Sequence, residues 1–532
     1  MGDLSFDDPG PITDAEVARL MAEYEETHAV EDYWALGWQL WPFLRAMLAT
    51  DIYNTRNYAL TALAHLGATP RDEKRGIGGL TRAFIYHSKL LRDYVKWAWA
   101  VKRGAALGPS HPCDVLIFGS GERYQFVGGK WVHYATGPLA DLLEHAGLRC
   151  HMWQWREQPS PATRPSANVV PSLRAGLGLV NVLRHFRSSP LAPSWFPEFA
   201  SFYHAQLHRD LSWESLAGKL AEMLPMSNIL ERWLQRARPG LVVLDNWYNG
   251  PMVSAALAAH RLGIPVMDLQ HGIQEQTHFA YHWWHKEPIG GWEARPDIFW
   301  VWGERTENLF HETNHIQQEI LRGGNPWILR WLSETDPDIE ATCGEARRLV
   351  ERHSRSILVT LPSPPSLCLP FLKDIISTSP SNWVWLIRTH PRETIDPQPI
   401  ERELGNSSRA EVRLQQATEW PLYALLRAVD LHVSNNSTCS NEALAFGKPT
   451  ILISKPGLAH FREFVETGVM FYTERHEDFF ETAERALEVD PACLKRAARS
   501  VFVVDESETS RAVNRIVEVV RSVRQKKTYA AT

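Results

Sequence analysis

Two separate sets of short, wholly apolar runs alternate with helix-periodic segments along this chain, and that alternation constrains its fold more than any other feature. In the first set, DVLIF (114–118) meets Gly119-Ser120-Gly121 and then HYATGPLADLLEHAG, followed by PGLVVLDN (239–246), VSAALAAHRLG, IPVMDLQHG (264–272) and DIFWVWGE (297–304). The second set runs through SILVTLP (356–362), WVWLIRTHP (383–391), LYALLRAVDLHVS (422–434) and NEALAFGKPTILI (441–453). A strand that is apolar on both sides needs cover on both faces, and strand–helix–strand repeats pair in parallel through right-handed crossovers. The expected class is therefore α/β, with two Rossmann-like domains facing a cleft. Apolar residues at three- and four-residue spacing through 14–108 add an N-terminal helical region. The boundaries read as 1–108 (helical), 109–325 (first Rossmann-like domain) and 326–532 (second, ending in helices). A Pro- and Ser-rich stretch near 156–200 reads as an insertion or mobile loop.

Charge and cysteine placement narrow the function. The 56 Lys and Arg against 62 Asp and Glu leave a net charge of −6. Without a long basic tract, the chain lacks the footprint that binds nucleic-acid phosphates. Its six cysteines show no CxxC pair, so neither a disulfide framework nor a zinc ribbon is expected, and a reducing cytoplasm fits best. No run of 18 uncharged apolar residues and no signal-like N-terminus is found. Between 82 and 103, however, Arg82, Lys89, Arg92, Lys96, Lys102 and Arg103 share a segment with Phe84, Tyr86, Tyr94, Trp97 and Trp99. Such a basic, aromatic helix can lie among the headgroups of an anionic leaflet, so peripheral contact with the inner face of the cytoplasmic membrane is an expectation.

Ligands of open parallel sheets sit beyond the carboxyl ends of the strands. The polar residues there are Glu122, Asp245, the trio Gln270, His271 and Gly272, then Arg388, His390 and Pro391, and the run from Ser434 to Thr438. Any one of them alone could be an ordinary loop cap. In SNNSTCS, Ser437, Thr438 and Ser440 precede a helix expected from about Asn441, and hydroxyls at a helix N-terminus suit a phosphate. Glu442 falls in the first turn, where a carboxylate can accept from ribose hydroxyls. Asp245 is the candidate nucleophile or general base, His271 the group that orients substrate or stabilises charge, and Glu122 the reserve acid or base. Gln270 and Gly272 are the expected substrate contacts.

Taken in order, LQHG (269–272), PDIFWVWGE (296–304), GGNP (323–326), RTHP (388–391) and LLRAVDLHVSNNSTCSNEALAFGKPTILI (425–453) resemble the GT-B-type bacterial capsule and lipopolysaccharide glycosyltransferases. The QHG and HP motifs are most similar to those of Kdo transferases that use CMP-Kdo, and more distantly to bacterial sialyltransferases and CDP-glycerol polymerases. LGWQLWPFLR (36–45) also looks like a segment near the start of some surface-polysaccharide enzymes. The resemblance implies a GT-B architecture with acceptor in the N-terminal half and nucleotide in the C-terminal half. It implies that His390, Ser437 and Thr438 hold the nucleotide phosphate, with no metal or other cofactor needed for the leaving group. A sugar, CMP-Kdo being the first-choice donor, would pass to a polysaccharide, lipopolysaccharide or lipid-linked glycan. The chain departs from the sialyltransferase pattern in lacking its paired acidic motif, and SNNST replaces a plain serine pair.

Three rivals stand beside this reading. A non-hydrolysing nucleotide-sugar epimerase would use the same two-domain cleft, and a non-catalytic glycan- or nucleotide-binding protein would share the fold. His311-Glu312-Thr313-Asn314-His315 matches H-E-x-x-H, a zinc signature when helical, but no third ligand stands at a customary spacing.

Overall fold

The computed structural model describes residues 12–65, 111–121, 123–155, 159–164, 166–168, 191–272, 274, 278–362, 368–390, 397–406, 408–503 and 505–529. A small antiparallel ribbon, β1 (Trp34–Ala35) and β2 (Trp38–Gln39), is followed by β3 (Val115–Gly119), the hairpin β4 (Tyr124–Val127) and β5 (Lys130–His133), then β6 (Cys150–Gln154) and β7 (Ala167–Asn168). The chain continues through β8 (Leu241–Leu244), β9 (Val266–Leu269), β10 (Ile298–Val301) and β11 (Glu319–Arg322). Seven of these strands form one parallel sheet in the order β7-β6-β3-β8-β9-β10-β11. A second parallel sheet holds β12 (Arg355–Thr360), β13 (Trp383–Arg388), β14 (Glu411–Arg413), β15 (Leu431–Ser434), β16 (Thr450–Leu452) and β17 (Met470–Tyr472), ordered β14-β13-β12-β15-β16-β17.

Both orders run outward one way from a central strand and then outward the other way, as a Rossmann sheet does. Strand order reverses between β3 and β8 and between β12 and β15, and a crevice opens beyond the strand ends at such points. Wholly buried runs explain the strands: every residue of β3, β8, β9 and β10 is buried. The architecture is α/β and GT-B-like, two Rossmann-like domains with an N-terminal helical region.

That helical region is part of the first domain's core. The helix Asp14–Thr27 starts at a capping box in which Thr13 and Glu16 satisfy each other's backbone N–H groups. Its Met21 and Tyr24, with Trp41 and Leu44 of the helix Trp41–His65, share one core with Phe118, Trp153, Leu244 and Trp284. The basic segment 82–103 lies outside the described residues, and no described helix is long and apolar enough to cross a membrane.

Three expectations change. Residues 326–532 do not all serve the second domain, because the helix Glu506–Tyr529 returns to the first sheet, where Val513, Ile516 and Val520 pack with Val115, Leu139 and Val243. Gly240 permits that approach: a Cβ there would stand 2.9 Å from Val520. The stretch 156–200 is not simply a loop. Ala167–Asn168 adds an edge strand to β6, and the helix Phe196–Leu207 buries Phe196, Phe199 and Tyr203 under the helical region. Finally, the hairpin of the first domain is built into the second. Val127 and Val132 join Trp327, Ile328 and Trp331 in its core, Gln125 accepts from Trp327 Nε1 at 3.2 Å, and Gly128, at φ +58°, presses on Asp338.

Candidate functional site

The first wall of the cleft grows from the ends of β3, β8 and β9. Asp245, fully buried, follows β8, and the backbone N–H of Ser120 after β3 donates to its Oδ2 at 2.7 Å. Arg123 places its Nε 3.8 Å from the same oxygen and donates from Nη1 to the carbonyl of His271 at 3.2 Å. Burial works to lower the Arg123 pKa, but Asp245 leads the groups that hold it raised. His271 sits with Nε2 3.5 Å from the Tyr248 hydroxyl.

Asp268, inside β9 and only 1% exposed, accepts from the Trp247 N–H at 2.9 Å. Burial pushes its carboxyl well above the usual range and the Asp245 charge adds to this, while Tyr281 and the Trp247 N–H oppose it. The wall thus holds two carboxyl groups in unlike surroundings, one facing an arginine and one whose pKa burial raises.

The second wall grows from β13, β15 and the helix Cys439–Ala445. Arg388 donates from Nη1 to the carbonyl of Ala417 at 2.7 Å and to that of Trp420. Burial lowers its pKa, with Cys439, Tyr134 and Glu442 acting against the shift. Ser437 Oγ accepts from the Cys439 N–H at 3.3 Å, and Thr438 is the N-cap, its side chain making no capping bond. Tyr423 donates to Glu442 Oε1 at 2.5 Å; burial raises the Glu442 pKa against that bond, Cys439 and Arg388.

The walls meet. A Cβ on Gly272 would lie 3.9 Å from Thr438 Oγ1. Tyr134, just after the hairpin, feels Arg123 and Asp245 of the first wall together with Glu442 and Arg388 of the second. Residues from about 120 to 442 are gathered at facing strand ends.

The structure reassigns several expected site residues. Gln270 is a brace rather than a substrate contact: its Oε1 accepts from the Trp302 N–H at 2.6 Å, and its Nε2 donates to Gly272 O at 3.1 Å and Thr306 Oγ1 at 3.4 Å. With both ends of the amide engaged, it ties the β9 and β10 ends together. Ser434 is fully buried and shapes the loop, accepting from the Ser437 N–H at 3.1 Å and from Thr360 Oγ1 at 3.3 Å. Ser440 and Asn441 belong to the buried side of their helix. Arg388 and Glu442 reach the wall only partly, since each already holds a protein partner. His390 closes the described run after β13; Glu122 and Pro391 lie outside the described residues. The H-E-x-x-H histidines do not share a helix: the helix ends at Thr313, His315 stacks on His285 with centroids 4.5 Å apart, and no group of three potential metal ligands occurs among the described residues.

Sequence reasoning passed over Arg123, Tyr134, Asp268, Tyr248 and Tyr423. Asp268 carried a signal, because a carboxylate inside an apolar strand run is seldom buried without purpose. Arg123 shares the first strand-end loop with Glu122. The tyrosines are brought in by packing and had no local signature.

No protein-family profile and no curated protein matches the chain. Among solved structures, it is similar to a UDP-GlcNAc 2-epimerase from Neisseria meningitidis bound to UDP-GlcNAc, at 15% identity and TM-score 0.46, covering 77% of this chain and 99% of that one. The glycosyltransferase SnogD from Streptomyces nogalater matches at 15% identity and TM-score 0.35, covering 78% and 100%. MurG from Acinetobacter baumannii matches at 11% identity and TM-score 0.39, covering 76% and 99%. At these scores the likenesses carry no argument for function or residue roles.

Proposed function

We propose that the chain is a glycosyltransferase that moves a sugar from a nucleotide donor to a glycan acceptor. The observation that carries this reading is the meeting, around Tyr134, of a first wall holding Asp245, Arg123 and Asp268 with a second wall holding Arg388, Thr438 and Glu442. A group-transfer enzyme needs a base or nucleophile on one side of the reacting carbon and charge-stabilising donors for the leaving group on the other. Asp245 serves the first role, with His271 beside it. His390, Ser437 and Thr438 serve the second. The QHG and HP motifs support CMP-Kdo as the first donor to try and a bacterial surface polysaccharide or lipopolysaccharide as acceptor.

The pair Asp245 and Asp268 favours one second reading, a nucleotide-sugar epimerase, in which one carboxyl removes a proton and the other returns it. One assay separates the two. The pure protein is incubated with CMP-, UDP- and GDP-sugars, with and without oligosaccharide acceptor, and free nucleotide and sugar isomers are measured. Nucleotide release that rises with acceptor is expected. Isomerised donor without acceptor would select the epimerase, and neither product from any donor would sink both readings.

A further inference from the structure

Around the end of β3 lies a set of polar groups that the transfer reading does not use. His133, 3% exposed, closes β5; its Nδ1 accepts from the Thr136 N–H at 3.2 Å, which leaves the proton on Nε2. That Nε2 has no hydrogen-bond partner, and burial pushes the imidazole pKa down to about 3, so the ring is neutral, with Arg123 contributing to the shift. The buried Ser120 hydroxyl also lacks a partner. Gln154, fully buried at the end of β6, donates to the Tyr124 hydroxyl while its Oε1 accepts nothing. His133 and Gln154 meet at Gly119, the residue before Ser120: a Cβ there would stand 3.0 Å from His133 Nε2 and 3.7 Å from Gln154 Cγ.

Arg123 borders this set. Its side chain is 16% exposed, yet among the described residues it donates a single hydrogen bond, to His271 O, and the Asp245 oxygen at 3.8 Å lies beyond hydrogen-bond reach. A guanidinium offers five N–H donors, and leaving a shielded charged donor unmet costs more than leaving a neutral one unmet. Among the described residues the Ser120 hydroxyl and His133 Nε2 are donors without acceptors, and Arg123 has further N–H groups to offer beside them. What they lack is an anion with several oxygens, and a guanidinium fork matches carboxylate and phosphate geometry.

We propose that Arg123, Ser120 and His133 form an oxyanion subsite on the first wall, which takes the carboxylate or phosphate of a sugar-sized ligand and is separate from the second wall. The unengaged Gln154 Oε1 gives the same ligand an acceptor for one hydroxyl. The subsite shares Arg123 with the first wall on which the transfer reading rests, but the Ser120 hydroxyl, His133 and Gln154 have no task in that reading.

Calorimetric titration of the full chain with glucose 1-phosphate and with glucuronate tests it and separates the two sources. Binding of either probe, with uncharged glucose at least about tenfold weaker, is expected, and the preferred probe names the anion. Arg123→Gln is expected to weaken that probe about tenfold or more, and Arg123→Lys, which keeps the charge but loses the fork, by a smaller factor. Should Arg123→Gln fail to fold, Arg123→Lys and Ser120→Ala carry the test. Failure of both probes to bind the wild-type chain, or wild-type affinity in the folded Arg123 variants, would overturn the subsite. Parallel titration with CMP and UDP reports on the second wall, so loss of the nucleotide reading would show as absent nucleotide binding with sugar-anion binding intact.

Discussion

The two halves share a Rossmann plan but bury different chemistry. Among the described residues, the acidic and basic side chains that are fully shielded, Glu25, Arg45, Asp114, Asp245, Asp268 and Arg295, all lie in the first half. The second half buries hydroxyls, amides and one imidazole in their place, among them Thr360, His432, Ser434, Asn441 and Thr450. Its charged wall residues, Arg388 and Glu442, stay half-buried at the cleft. The contrast reaches beyond the site. Glu25 and Arg45, paired between the two N-terminal helices, read the backbone of one segment: Arg45 donates to the carbonyls of Phe279, His282 and Trp283, and Glu25 accepts from the His285 N–H at 2.7 Å. That segment also carries Tyr281, which faces Asp268. The helical region therefore sets where the acid of the first wall finds its partner. The second half needs no such device, because neutral donors at strand ends are positioned by the sheet and its loops. Among the described residues the halves divide along that line, buried charge in the first and buried neutral polar groups in the second.

The largest expected effect breaks the comparison most directly. Asp245→Ala is expected to lower turnover of the nucleotide-sugar reaction about 10²–10⁴-fold, while Thr438→Ala lowers it about tenfold. Steady-state release of nucleotide measures both, and the reverse order would move the chemistry to the second wall. Next in size is stability. Arg45→Met strands the buried Glu25 carboxylate and should cost about 3–5 kcal/mol in chemical denaturation. Tyr423→Phe, which removes one bond to Glu442, should cost about 1 kcal/mol.

Acid sharpens the comparison further. Burial holds His133 and His278 near 3 and His282 near 4 in the first half, against His432 near 3 in the second. Each folded pKa lies below the ordinary value of about 6.5, so each imidazole contributes stability that is present above pH ~6.5 and is lost as pH falls toward the folded value. With three such groups against one, amides of β3, β8 and β9 are expected to lose hydrogen-exchange protection before those of β12 and β15 as pH drops from about 6.5 to 4. Simultaneous loss would show that the halves unfold as one unit.

Asp268→Asn is the smallest change, since Asn keeps the size of the side chain and the bond from Trp247. The folded Asp268 pKa is raised, so the wild-type chain loses stability as pH climbs from the ordinary carboxylate value toward the folded one. The variant has no such slope. Its melting temperature relative to wild type should rise between pH 4 and pH 8, and a constant difference would show that burial does not raise the Asp268 pKa.

Much of the second wall was legible in the sequence. DLHVSNNSTCSNEALAF contains its strand, its turn and its helix in one stretch, and local chemistry settles where hydroxyls and backbone N–H groups go. The first wall was legible only at its anchors, Asp245 and His271. Arg123 and Tyr134 become site residues through groups more than a hundred positions away, as when the Ser120 N–H meets Asp245.

The sequence by itself determined the two sets of parallel strands and the residues at their carboxyl ends, because apolar runs and helical periodicity are local properties of a chain. Tertiary structure alone decided that the helix Glu506–Tyr529 covers the first sheet, that the hairpin enters the second core, and that Gln270 braces two strand ends. An amphipathic pattern states that a face must be buried and not which surface will bury it. An amide or guanidinium states what it can bond, and only the packed fold decides which atoms are left for it.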